Sequence, residues 1–394
     1  MRHPAYSSSA QVDAVAACAL PHALFTDVGE AHDHAHANEG SLLAVAQSQL
    51  EGNVWNGQVT LVQASDTNEP VCGLQLDAGV GALDWCGAHQ DTLVLGCDDG
   101  DVRLAQLGRT DEAVALVPIS GAAGGRAEQA DAGVSTGKGH DDIVTGVSGS
   151  RVAKTQLATC SWDLTVKLWD IEAMNETIST LEGHTDLIWD VAMHPMHAPL
   201  LCSASQDMTV QLWDARRPQS AALVVSTLHS ALSVDWHPTQ STVFSVGLED
   251  GTVCTFDVRS PHAPLTRRET HGAAVHVVKY SVYHDDLLAT GGDDGKAFVT
   301  SDSFSSDRAV GRELLVGEKK IAPHRDYVRA LDWFKLSSAS DGKKLDTMLA
   351  TGSWDKSVHT WGVVDYTDPI ADKLRSPAIS ETAVAAALPD VPVA

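Results

Sequence analysis

The sequence predicts an all-β fold, a seven-bladed β-propeller, on three observations: a repeated strand phrase, its spacing, and the turn chemistry between copies. The phrase is an apolar run, a small or polar residue, Asp, then a second apolar run. It reads LATCSWDLTVKLWD at 157–170, LCSASQDMTVQLWD at 201–214 and VFSVGLEDGTVCTFD at 243–257. It returns as LVLGCDDGDVRL at 93–104, LATGGDDGKAFVT at 288–300 and MLATGSWDKSVHTW at 348–361. The turn aspartates Asp99, Asp163, Asp207, Asp250, Asp294 and Asp355 fall 64, 44, 43, 44 and 61 residues apart. A period of about 40–45 residues is that of a propeller blade.

The two long gaps each fit one blade plus an insertion of about 20 residues by the same period. The first insertion is GAAGGRAEQADAGVSTGK at 121–138, rich in Gly and Ala and without periodicity. The second is shared between 303–320 and the polar stretch 337–346. A degenerate seventh copy, SLLAVAQSQLEGNVWNGQVTLVQ, stands at 41–63. Each copy alternates as half-buried strands do, with short turns between. A single blade cannot bury both faces of its sheet, so the copies must stack around an axis.

Blades are expected to open near residues 41, 80, 139, 184, 229, 271 and 324, so the propeller spans 41–366. Residues 1–40 form an N-terminal extension, within which LPHALFTDVGE (20–30) is expected to supply the outer strand of the last blade. That closure removes an exposed edge. The low-complexity segment 367–394 is expected to be disordered.

The chain carries 27 basic and 52 acidic residues, a net charge of -25. Such a surface repels nucleic-acid phosphates and anionic lipid and attracts basic proteins. The basic pairs Arg216–Arg217 and Lys319–Lys320 are short and isolated, so neither nucleic acid nor membrane is an expected partner. Seven cysteines without a CxxC, most inside apolar runs, read as buried free thiols of a reducing compartment. The chain is expected to be soluble and intracellular.

Ser or Thr, His and Asp recur together as they would in nucleophilic catalysis. The sets are His140, Thr159, Asp163 and Trp169; His184, Ser203, Asp207 and Trp213; and His324, Thr351, Asp355 and Trp361. They repeat once per blade, which a catalytic site need not do. Resemblance to WD-repeat proteins implies instead a relay running from Asp through His and Ser/Thr to the Trp indole. Such a relay satisfies buried polar groups that cost about 1–3 kcal/mol each when unpaired. Ala105, Phe256 and Val299 stand near the Trp position in blades two, five and six, leaving incomplete relays there. His32, His34 and His36, with Asp33 and Glu30, have a spacing that suits Zn²⁺ or Ni²⁺, but nothing downstream completes a site. No catalytic residue, metal site or cofactor is expected.

Trp55 sits in the polar, Gly-flanked segment EGNVWNGQ, outside the relay position. An indole on a turn serves poorly for solubility and well as an interface anchor.

Beyond the generic phrases, LLAVAQSQLEGNVWNGQVTLV, DAGVGALDW, GHDDIVTGV and HRDYVRALDW resemble, in the same order, stretches of the methylosome WD-repeat subunit family. The resemblance runs from Ser41 to Val364 and rests on the atypical first blade and the HDDIV opening of the third. It implies a non-catalytic partner of the type II protein arginine methyltransferase, assembled as a hetero-oligomer. Basic substrates such as histone tails and Sm proteins are implied with it. It further implies that Trp55, with Asn53, Val54 and Asn56 around it, anchors the enzyme. The His-rich N-terminus and both insertions depart from the family and bear on substrate preference. The competing reading is a WD-repeat substrate receptor of a cullin–RING ubiquitin ligase, from the WD-x-Arg phrase Trp213, Asp214 and Arg216, partly repeated by Asp257 and Arg259.

Overall fold

In the computed structural model the described residues are 5–18, 41–51, 54–64, 68–87, 91–109, 114–118, 139–174, 176–285, 287–301, 311–313, 324–337 and 345–362. They form seven four-stranded antiparallel sheets, one per blade. The innermost strands are Gln11–Cys18, Val80–Cys86, Val144–Gly149, Ile188–Met193, Ala231–Trp236, Val275–Tyr280 and Val328–Ser337. In each of the first six blades the following strands pair outward in chain order.

The sequence places the start of the first blade one strand too late. Gln11–Cys18 pairs antiparallel with Leu42–Glu51, from Gln11↔Ser48 to Cys18↔Leu42, and is the inner strand of blade one. QVDAVAAC holds four small Ala and Cys side chains and lies 23 residues from its partner strand, so neither β-branched density nor period marks it. The outermost strand of blade seven is Ala5–Ser7, pairing from Ala5↔His359 to Ser7↔Ser357. Residues 5–18 therefore supply strands to two adjacent blades and join blade seven to blade one. Segments 20–30, 121–138 and 367–394 lie outside the described residues, as does most of the second insertion.

The core lies between neighbouring sheets. Leu42, Leu61, Val80, Trp85 and Leu95 pack between blades one and two. Val12, Val45, Phe334 and Ala350 join blade one to blade seven. Full burial of each such side chain contributes about 1.5–3 kcal/mol, so the ring holds together through its inter-blade seams. All seven cysteines are free thiols and six are buried, Cys18 being pushed up to about 12 by burial.

Polar clamps tie the inner strands together. The backbone N–H of Gly149 donates to Asp84 Oδ2 at 2.7 Å, that of Tyr280 to Asp235 Oδ2 at 2.7 Å, and that of Ala17 to Asp332 Oδ2 at 2.7 Å. Met193 donates likewise to the Ser148 hydroxyl at 3.0 Å. In every case one blade's side chain holds the backbone of the next. Blade six carries Lys279 at the corresponding place. Burial works against its charge, yet Asp332, Asp84 and Asp235 outweigh that and hold it above its ordinary value.

Each blade is an antiparallel meander, so the turns between second and third strands share one face of the disc with the beginnings of the inner strands. On that turn face every inner strand opens with a β-bulge. The bulged residues are Asp13, Gly81, Thr145, Trp189, Leu232, His276 and Arg329, and together they line the axial mouth. A bulge re-aims a side chain that regular pairing would send into a seam.

Candidate partner-docking site

Blade one differs from the others on its turn face. Its second and third strands, Leu42–Glu51 and Val54–Gln63, have ten residues each and pair continuously from Leu42↔Gln63 to Glu51↔Val54. The inner strand stops at Gln11↔Ser48 and the outer one at Gly57↔Leu76. Residues 49–51 and 54–56 therefore leave the sheet as a two-stranded projection. Gly57 stands at its root, where a Cβ would come within 2.1 Å of the Ala78 carbonyl oxygen. Glycine there lets the neighbouring backbone approach and brace the hairpin.

On this projection Leu50 and Trp55 are directly opposed cross-strand partners, 53% and 41% exposed. Two large apolar side chains held side by side in solvent have the composition of an interface anchor. Of the site residues expected from sequence, Trp55 is exposed and Asn56 half-buried beside it. Val54 takes its strand position, and Asn53 lies outside the described residues. Leu50 was not singled out by sequence reasoning. Its signal is the strand alternation itself: counted across the hairpin from the paired Val45 and Thr60, Leu50 falls opposite Trp55.

The relays assemble in blades three, four and seven. His140 lies 2.8 Å from Asp163 and 2.7 Å from Thr159, whose hydroxyl accepts from the Trp169 indole at 2.8 Å. His184 repeats this with Asp207 at 2.8 Å and Ser203 at 2.7 Å, and Trp213 donates to Ser203 at 2.9 Å. His324 contacts Thr351 at 2.7 Å, and Trp361 donates to Thr351 at 3.0 Å, while Asp355 stands further off at 3.4 Å. Burial disfavours the charged Asp207 carboxylate, but donors from His184, Thr209 and the Thr185 backbone outweigh it and bring it down to about 2. Each hydroxyl is fully buried and engaged between an imidazole and an indole, so none is placed to attack a substrate.

Blade six keeps His271 with Thr290 at 2.9 Å and Asp294 at 3.0 Å, and Phe298 packs edge-on to the imidazole. The register puts Thr300, not Val299, opposite Leu288, the place that Trp169 takes opposite Leu157. His32, His34 and His36 lie outside the described residues. Arg216 and Arg259, the arginines of the ligase-receptor phrase, are each held by an aspartate two residues back. Arg216 Nη2 meets Asp214 at 2.7 Å and Arg259 Nη2 meets Asp257 at 2.5 Å.

With this geometry the comparisons with known proteins can be read. A model of the WD domain, G-beta repeat, matches residues 133–170 and 175–214, which hold the three inner strands of blade three, then its outer strand with the three inner strands of blade four. The chain is a seven-bladed propeller in which WD40 repeats are found. It is 25% identical over 329 residues to Methylosome protein WDR77 of Xenopus laevis, covering 82% of this chain and 86% of that protein. It is 29% identical over 122 residues to EARP-interacting protein 1 of Caenorhabditis elegans, covering 27% of this chain and 34% of that one. The first similarity runs over most of the chain, whereas the second spans only about three repeats' length.

Proposed function

We propose that this WD40 propeller is a non-catalytic scaffold subunit of a protein arginine methyltransferase complex of the methylosome type. It holds the type II methyltransferase at the blade-one hairpin and gathers basic substrates, histone tails and Sm proteins among them. The observation that carries the reading is the exposed Leu50–Trp55 pair on its projecting strands. The similarity to a methylosome protein over 82% of the chain supports it. The net charge of -25 supports the substrate half, because a long-range field concentrates arginine-rich tails near an acidic disc. A scaffold that serves histones and Sm proteins acts in both nucleus and cytoplasm.

The test is affinity purification of the tagged chain from its own cells, with mass spectrometry and a methylation assay. Recovery of a type II arginine methyltransferase whose association is lost in Trp55→Ala supports the proposal. Recovery of a cullin-ligase adaptor with no methyltransferase replaces it by the receptor reading.

A further inference from the structure

We propose that the axial mouth on the turn face is a binding site for an arginine side chain of a basic peptide. The inference rests on the basic-substrate half of the preceding proposal and names the place where such a substrate engages.

The mouth is a cavity of about 160 Å³ lined by Asp13, Trp189, His276, Arg329 and Trp354 among others. Trp189, His276 and Trp354 line it, with Trp162 and Tyr327 packed against them. Trp162 meets Trp189 edge-on at 5.4 Å, and Trp189 meets His276 at 5.6 Å. Across the mouth Tyr327 and Trp354 lie 5.3 Å apart. One guanidinium is already held by these rings. Arg329 lies 4.9 Å from the Trp354 ring and 5.5 Å from the Tyr327 ring, and donates to His276 Nδ1 at 2.8 Å. The opposite nitrogen of His276 is 3.2 Å from Asp293. The propeller's own residue thus displays the recognition chemistry: a planar cation against aromatic faces, with a carboxylate behind.

Asp13 supplies a second carboxylate beside that of Asp293, which stands 3.4 Å from Arg329 Nε. Its Oδ1 accepts from the Trp354 indole at 2.9 Å and from Gln11 at 3.0 Å. Its Oδ2 is buried without a close hydrogen-bond partner, the Ser48 hydroxyl stabilising the group only from further away. A buried carboxylate oxygen left open beside indole rings is costly to the fold and suited to an incoming guanidinium. The rim repeats the sign, with Asp98, Asp141, Asp142, Asp186 and Asp326 on the same face.

The charged and titratable groups that face Asp13 are Asp98, Arg329 and His276. Burial holds His276 below its ordinary value.

The experiment uses the full chain and a fluorescein-labelled peptide of alternating glycine and arginine, read by anisotropy in 0.15 M salt. Its counterpart carries citrulline, equal in shape and uncharged. The expected result is that the citrulline peptide binds at least tenfold more weakly, and that Asp13→Asn and Trp189→Leu each weaken the arginine peptide at least tenfold. Glu172→Gln, the same charge change on the opposite face, leaves binding within twofold. Circular dichroism checks that Trp189→Leu folds, and the near-isosteric Asp13→Asn keeps the test decisive if it does not. Equal losses in Asp13→Asn and Glu172→Gln would reduce the attraction to the overall field and overturn the site. Absence of peptide binding to the wild type also overturns it, while methyltransferase recovery through the hairpin would still stand or fall on its own.

Discussion

Leu50 and Trp55 face each other across the blade-one hairpin, both exposed, at a point where neither the inner nor the outer strand reaches them. Their contact therefore contributes little to the seams and is available to a partner. Trp55→Ala should weaken methyltransferase binding by at least about 2 kcal/mol, the scale of an aromatic hot spot. Folding stability should stay within about 0.5 kcal/mol of wild type, as for surface substitutions. Leu50→Ala should couple to it in a double-mutant cycle by more than about 0.5 kcal/mol. Calorimetric titration and denaturant melts measure the two quantities, and parallel losses in both would make Trp55 a packing residue.

Trp213 is 1% exposed and donates to the Ser203 hydroxyl. Truncation to Ala should destabilise the propeller by roughly 3–5 kcal/mol, the usual cost of removing a buried Trp. A change below about 1 kcal/mol, typical of an ordinary point mutation, would count against the relay as a source of stability.

Removing residues 2–8 deletes the strand that pairs with Ser357–His359. Three cross-strand pairs at about 0.2–1 kcal/mol each predict a loss of roughly 1–3 kcal/mol. The freed edge of blade seven should also associate with other copies, so sedimentation should show concentration-dependent oligomers. A truncated chain that stays monomeric and melts like wild type would show that the closure is dispensable.

Asp13 is pushed up to about 7 by burial, against donors from Ser48, Trp354 and Gln11, with Asp98 adding to the rise. Its folded value lies above its unfolded one, so the group's contribution to stability is fully present below about 3.9 and is lost as pH rises through 7. Asp13→Asn has no such ionisation. It should therefore melt higher than wild type at pH 8, on the order of 2 °C, and no higher at pH 4. A variant that melts lower at pH 8 would mean that the Asp13 carboxylate is well paired in the fold. Asp207 behaves oppositely, because its folded value of about 2 lies below the unfolded one. Its contribution is present above about 3.9 and disappears as pH falls through 2, so acid should open blade four's relay.

The repeating blades were legible because their phrase carries both period and turn chemistry: Asp163, Asp207 and Asp355 each cap a turn and bind a His. Blade one's inner strand was not, since Gln11–Cys18 carries neither mark and a His-rich segment separates it from Leu42. The mouth residues were hidden for a different reason. A bulge residue follows no strand alternation, and Thr145, Trp189, His276 and Arg329 share no side-chain type. They do share an offset, each standing five residues after the relay His140, His184, His271 or His324. That count, applied along the sequence, would have found the four of them together. Asp13 and Gly81 have no such marker, because blades one and two lack the relay His.

Ring closure by Ala5–Ser7 has a consequence for synthesis. The strand leaves the ribosome well ahead of its partner, Ser357–Gly362, which follows after almost the whole propeller. At about 5–20 residues per second the first strand waits on the order of tens of seconds before it can dock. Until then blades one to six can stack in order of emergence, but the growing arc keeps one unfinished seam at each end. The nascent chain is thus most exposed to aggregation late in translation, when chaperone capture would matter most.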